Sequence, residues 1–120
     1  MKTYQYTKSD SCKADLERCI EKMKDSILEL KDHSLCHGML GNIDCLISIS
    51  EVLAEYSGGV NKIIEETYFL IHEDIKKNGV VCGISNAYDM FSFMLGIPGM
   101  AYTMMREKNR NYPSILLLEI

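Results

Sequence analysis

The chain has no run of about 18 consecutive apolar residues, so no transmembrane helix is expected. Its N-terminus, "MKTYQYTKSD", lacks the apolar centre of a signal peptide, and the expected location is the cytoplasm. Basic residues are in the minority, 13 against 17 acidic ones, for a net charge of −4. No basic face is available to displace counterions from a phosphate backbone, which argues against nucleic-acid binding. No two cysteines stand in C-x-x-C spacing, and their number, five, is odd. Neither a disulfide framework nor a zinc ribbon is indicated, and a thiol-redox role ranks last. Cys12, Cys19, Cys36, Cys45 and Cys82 then default to small apolar packing residues.

What remains is a 120-residue, one-domain length with ordinary apolar content, 47%, and a quarter of its residues charged. Residues 1–8 read as a polar lead-in, disordered or extended. A helix capped at Ser9 or Asp10 runs to Leu30, with Cys12, Leu16, Cys19, Ile20, Met23, Ile27 and Leu30 on one stripe. "KDHS" is a polar connector. A second helix spans 41–56, apolar most of the way round and so buried on most sides, and "SGG" ends it. A third spans 60–77, stopped by Asn78-Gly79, with His72 on its solvated face. "VVCGI" reads as extended and "SNAYD" as a loop. A fourth apolar segment, 91–106, has Pro98 in the first turn of its helix. Met90, Met94, Met100, Met104 and Met105 read as core filler. Tyr102 and Arg106, four apart, share a face and are expected to make a structural contact. "REKNRNYPS" is a polar turn, and the tail "ILLLEI" must dock on something.

Polar-faced helices thus alternate with apolar ones, which predicts an all-α fold in two layers, apolar helices inside. A short internal repeat points the same way. "LCHGMLGN" and "FMLGIPGM" each carry G-x-x-G before an apolar helix, with Gly38 and Gly41 in one and Gly96 and Gly99 in the other, 58 residues on. The glycine pairs read as turns in which helix starts pack closely. "GMLGN" lacks the Lys-Ser/Thr of a phosphate loop.

Cys36 and His37 are the candidates for chemistry. A thiolate beside an imidazole suits zinc, and a glycine after them lets the backbone turn so that both side chains converge. The alternative is a half-buried cysteine and an exposed loop histidine. His33, four residues upstream of His37, reads as a loop residue or as an outer support for the site. No catalytic residue is assigned.

"HSLCHGMLGN" resembles the Cys-His-Gly segment of lanthionine synthetase C-like proteins. "SFMLGIPGMAYTMMREKNRNYPSILLLE" is similar to the segment that closes those cyclase domains, especially in type-2 bifunctional lanthipeptide synthetases. The matching positions are Met94, Gly96, Gly99, Tyr102, Arg106, Pro113, Ser114 and Leu116 to Leu118. The resemblance implies a partial α/α toroid, with residues 9–120 as the C-terminal portion of a cyclase domain. It implies zinc held partly by Cys36 and His37, and a lanthipeptide precursor whose cysteine thiols add to dehydroalanine or dehydrobutyrine to form thioether rings. The chain departs from the pattern by having no tryptophan, hence no Trp-Cys-x-Gly motif for another zinc-ligating cysteine, and no upstream acid/base histidine. A companion chain completing the toroid, or self-association, is expected. The competing reading is a non-catalytic helical interaction module, or an inactive remnant of such a cyclase.

Overall fold

The computed structural model describes residues 1–84 and 91–117, apart from the side chains of Lys2 and Tyr56. The expected "SNAYD" loop, Met90 and the last three residues of the tail, Leu118 among them, lie outside the described residues. Every regular element among the described residues is helical: α1 Lys2–Thr7, α2 Asp10–Ser26, α3 Met39–Val52, α4 Ser57–Asn78 and α5 Ile97–Lys108, with single 3-10 turns at Ile27–Glu29 and Ala54–Tyr56. The architecture is all-α, built from stacked helical hairpins in which α3 packs against both α4 and α5.

The lead-in departs from expectation. Residues 2–7 form α1, because Met1 and Tyr4 are spaced to put two apolar side chains on one helical face, and both pack against the core. Lys8 closes α1 in the left-handed region, at φ 51°, and its N–H donates to the Tyr4 carbonyl. In α2, Ile20 is buried and Leu16 and Met23 are partly so, while the charged face looks outward. The helix tightens to a 3-10 turn before Leu30 and thereby buries Ile27.

α3 is the centre of the molecule. Leu40, Ile43, Leu46 and Ile47 are fully buried, and Asp44, Ser48 and Ser50 are buried among them. "SGG" does not end this helix by a left-handed cap. α3 stops at Val52, one 3-10 turn follows, and Ser57, Gly58 and Gly59 form the first turn of α4. Neither glycine has a positive φ. Gly79 does, at 83°, and ends α4 where Asn78-Gly79 was expected to. Residues 79–82 then run without regular structure. Val81 pairs with His33 through two hydrogen bonds, and the Gly83 N–H donates to the Leu95 carbonyl.

α5 begins with Pro98 in its first turn, as its missing N–H allows. Gly99, Met100, Thr103 and Arg106 turn inward, while Ile97, Ala101 and Met105, four apart, stay exposed. The methionines divide accordingly. Met100 and Met104 pack in the core, whereas Met105, on the outward flank of α5, and Met94, in the turn before that helix, are exposed. Tyr102 and Arg106 act together on the segment after α5. The Tyr102 hydroxyl donates to the Pro113 carbonyl and Arg106 Nε to that of Tyr112, so both hold that segment in place.

Candidate functional site

The segment 32–38 is a turn held from three sides. Ahead of α3, the Asp32 carbonyl accepts the Met39 N–H at 3.0 Å and the Ser34 carbonyl accepts the Gly41 N–H at 3.2 Å. These bonds occupy N–H groups that a helix start leaves without partners, and no side chain caps α3. Asp32 Oδ1 accepts the Ser34 N–H at 2.9 Å, an Asx-type turn. Towards α4, His33 is fully buried. Its Nδ1 accepts the Val81 N–H at 3.0 Å and its Nε2 lies 2.9 Å from Asp74 Oδ2. The Asn78 amide, which donates to Asp74, and then His33 hold the Asp74 carboxyl below its ordinary range. Towards the second repeat, the Cys36 N–H donates to the Met94 carbonyl at 2.9 Å, so the two G-x-x-G turns bond directly to each other.

The glycines have distinct reasons. Gly38 and Gly96 occupy equivalent N-cap positions in extended backbone. A Cβ on Gly38 would collide with the Asp32 carboxylate and with the backbone of Asp32 and Ser34. A Cβ on Gly41 would strike the Leu35 carbonyl, and one on Gly99 the Phe93 carbonyl, in each case six residues back. The repeat is therefore one geometry used twice. A third serine-headed turn, at 115–117 after Ser114, repeats the chain path of those after Ser34 and Ser92. Sequence reading missed it, and the recurring serine was its signal.

Cys36 and His37 sit at the tip of the first turn, both exposed. Their backbone is pinned while their side chains remain open to solvent. Asp32 Oδ2 lies 3.3 Å from His37 Nδ1. Sequence reading treated Asp32 as mere connector, although Asp two residues before Ser is an Asx-turn pattern. Among the described residues no three His, Cys, Asp or Glu side chains cluster as a metal site. Cys36 and His37 fit one edge of a zinc site by donor type, and among the described residues they are not completed into a three-donor cluster. A groove of about 610 Å³ between α2 and α4, lined by Ile20, Val60 and Ile63 under a rim of Glu and Lys, holds none of these residues.

A second polar centre was not foreseen. Arg106, wholly buried, donates from Nη1 to Asp44 Oδ1 at 3.0 Å and to the Asp44 carbonyl at 2.9 Å, and from Nη2 to Ser48 Oγ at 2.8 Å. The Ser114 hydroxyl donates to Asp44 Oδ2. The network ties α3, α5 and the third turn together.

The chain is 27% identical over 107 residues to the lacticin 481/lactococcin biosynthesis protein LcnDR2 of Lactococcus lactis subsp. lactis, a match covering 88% of this chain and 12% of that protein. The chain thus spans about an eighth of that relative's length. No solved structure matches the chain. The family model for lanthionine synthetase C-like proteins matches residues 1–117, and the chain belongs to that family.

Proposed function

We propose that the chain is the C-terminal part of a lanthipeptide cyclase domain and supplies one edge of its zinc site through Cys36 and His37. Two exposed soft donors on adjacent residues, held by a turn bonded to both neighbouring segments, carry the reading. Family membership supports the substrate: a lanthipeptide precursor in which cysteine thiols add to dehydroalanine or dehydrobutyrine, giving thioether rings. The same membership supports a toroid of inner and outer helices, with α3 and α5 inside and α2 and α4 outside, and a cytoplasmic setting for the reaction.

Zinc, when bound, supplies the acidity that turns a peptide thiol into a thiolate near neutral pH, where a free thiol of pKa about 8.5 is mostly protonated. The chain's own contribution is placement. The backbone bond from Cys36 to Met94 fixes the thiol's base, and the carboxylate of Asp32 faces one nitrogen of His37. The exposed side chains leave a peptide free to approach from solvent. A further ligand and the proton donor come from polypeptide outside these 120 residues, as a companion chain or a preceding segment.

A second reading, a helical interaction module or inactive remnant, is favoured by the absence of a three-donor cluster among the described residues and by the exposed Ile97 and Met105. Metal analysis separates the two. Stoichiometric zinc in the protein supplied with the preceding part of the domain, lost in Cys36→Ala and His37→Ala, supports the cyclase reading. No zinc under those conditions sinks it.

A further inference from the structure

We propose that Asp32 is a positioning residue that keeps the proton of neutral His37 on Nδ1 and leaves Nε2 bare as the donor atom. The proposal deepens the zinc-edge reading, and rests on it only for the use made of the free nitrogen. Free imidazole favours the opposite tautomer, and in a protein the tautomer is set by what the other nitrogen meets. Here a carboxylate oxygen stands 3.3 Å from Nδ1.

That carboxylate has little freedom. Its other oxygen accepts the Ser34 N–H, and the Asp32 carbonyl accepts the Met39 N–H, so side chain and backbone are both anchored. Gly38 provides the room: any side chain there would begin where the Asp32 carboxylate and the Ser34 nitrogen already are. The glycine after Cys-His thus makes space for the acid behind the imidazole. The ring's Cε1 lies 3.0 Å from where a Gly83 side chain would start, so the lack of one there leaves the imidazole its place. His37 still has 52% of its side chain exposed, so Nε2 can reach a ligand. Carboxylates behind metal-ligating histidines commonly fix ring orientation and raise donor strength in this way.

The test uses the whole chain with ¹⁵N-labelled histidine, metal-free, above pH 8, read by two-bond ¹H–¹⁵N correlation. His33 is the internal reference, because its Nδ1 accepts the Val81 N–H and its proton must sit on Nε2. Wild type should show His37 and His33 as opposite tautomers. In Asp32→Asn the amide oxygen keeps the Ser34 bond and the NH₂ turns to Nδ1, which moves the His37 proton to Nε2. Finding His37 on Nε2–H in wild type, or unchanged in Asp32→Asn with His33 intact, overturns the proposal. Zinc uptake is read separately and should weaken about 10- to 100-fold in Asp32→Asn. The expected tautomers with no zinc bound by wild type in the completed domain would sink the metal reading and leave the positioning of His37 standing.

Discussion

Arg106 and Asp44 stand 62 residues apart in the chain and meet with neither side chain open to water, at 0% and 1% exposure. Removing one partner strands the other's charge in the core. Arg106→Ala is expected to lower stability by about 3–5 kcal/mol. Arg106→Lys keeps the charge but loses the forked geometry that reaches Asp44 and Ser48 together, and should fall between. Urea titrations of the three proteins check the order. A loss below about 1 kcal/mol for Arg106→Ala would show that the pair does not hold α5 to α3.

The glycines divide into two classes that a single substitution separates. Gly41→Ala and Gly99→Ala drive a methyl into a backbone carbonyl and should each cost about 1–3 kcal/mol or prevent folding. Gly58→Ala and Gly59→Ala meet nothing within 4 Å, lie in the helix and have no positive φ. Each should raise stability by about 0.5–1 kcal/mol. Thermal melts of the four variants distinguish the classes, and equal effects across them would contradict the packing described.

Cysteine reactivity should follow burial and not the order along the chain. Burial, and then the neighbouring Asp44 charge, push the Cys45 thiol up to about 11, and Cys82 is buried. Cys19 and Cys36 are exposed. At pH 8, timed alkylation read by mass spectrometry should modify Cys19 and Cys36 about tenfold or more faster than Cys45 and Cys82. Cys45 reacting as fast as Cys19 would be inconsistent with its site. The raised thiol has a sign in stability too: its contribution is intact below the ordinary value of 9.0 and is lost as pH rises towards 11.

Asp74 gives the opposite slope. Its carboxyl is held below the ordinary value of 3.8 by Asn78 and His33, so in acid the unfolded chain takes up the proton first. The contribution is present above pH 3.8 and disappears as pH falls below it. Denaturant midpoints of wild type and Asp74→Asn, compared across that range, should converge as the solution becomes more acidic. Parallel curves would show that Asp74 is not linked to folding.

Local signals made much of the fold legible. The stripes of α2 and α4, the stop at Asn78-Gly79 and Pro98 in the first turn of α5 are all written in neighbouring residues. α1 escaped because its two anchors, Met1 and Tyr4, stand among polar residues, and "SGG" misled because glycine tolerates a helix as well as ending one. The turn bearing Cys36 and His37 could be located, but its partners could not. His33–Asp74, Cys36–Met94 and Arg106–Asp44 join residues far apart in sequence, where periodicity has no reach. One clue was available: Ser48 and Arg106 are 58 residues apart, the repeat's own spacing, and so hold matching places in the two copies.

The bond from Cys36 to Met94 makes everything between the two turns an excursion that leaves the first and returns to the second beside it. Length added at the far end of α4 would alter the detour and leave the thiol where it is. A single residue inserted between Ser34 and Gly41, or between Ser92 and Gly99, would instead unseat both turns at once. Relatives should therefore vary freely in the reach of that outward loop while keeping both eight-residue knuckles the same length.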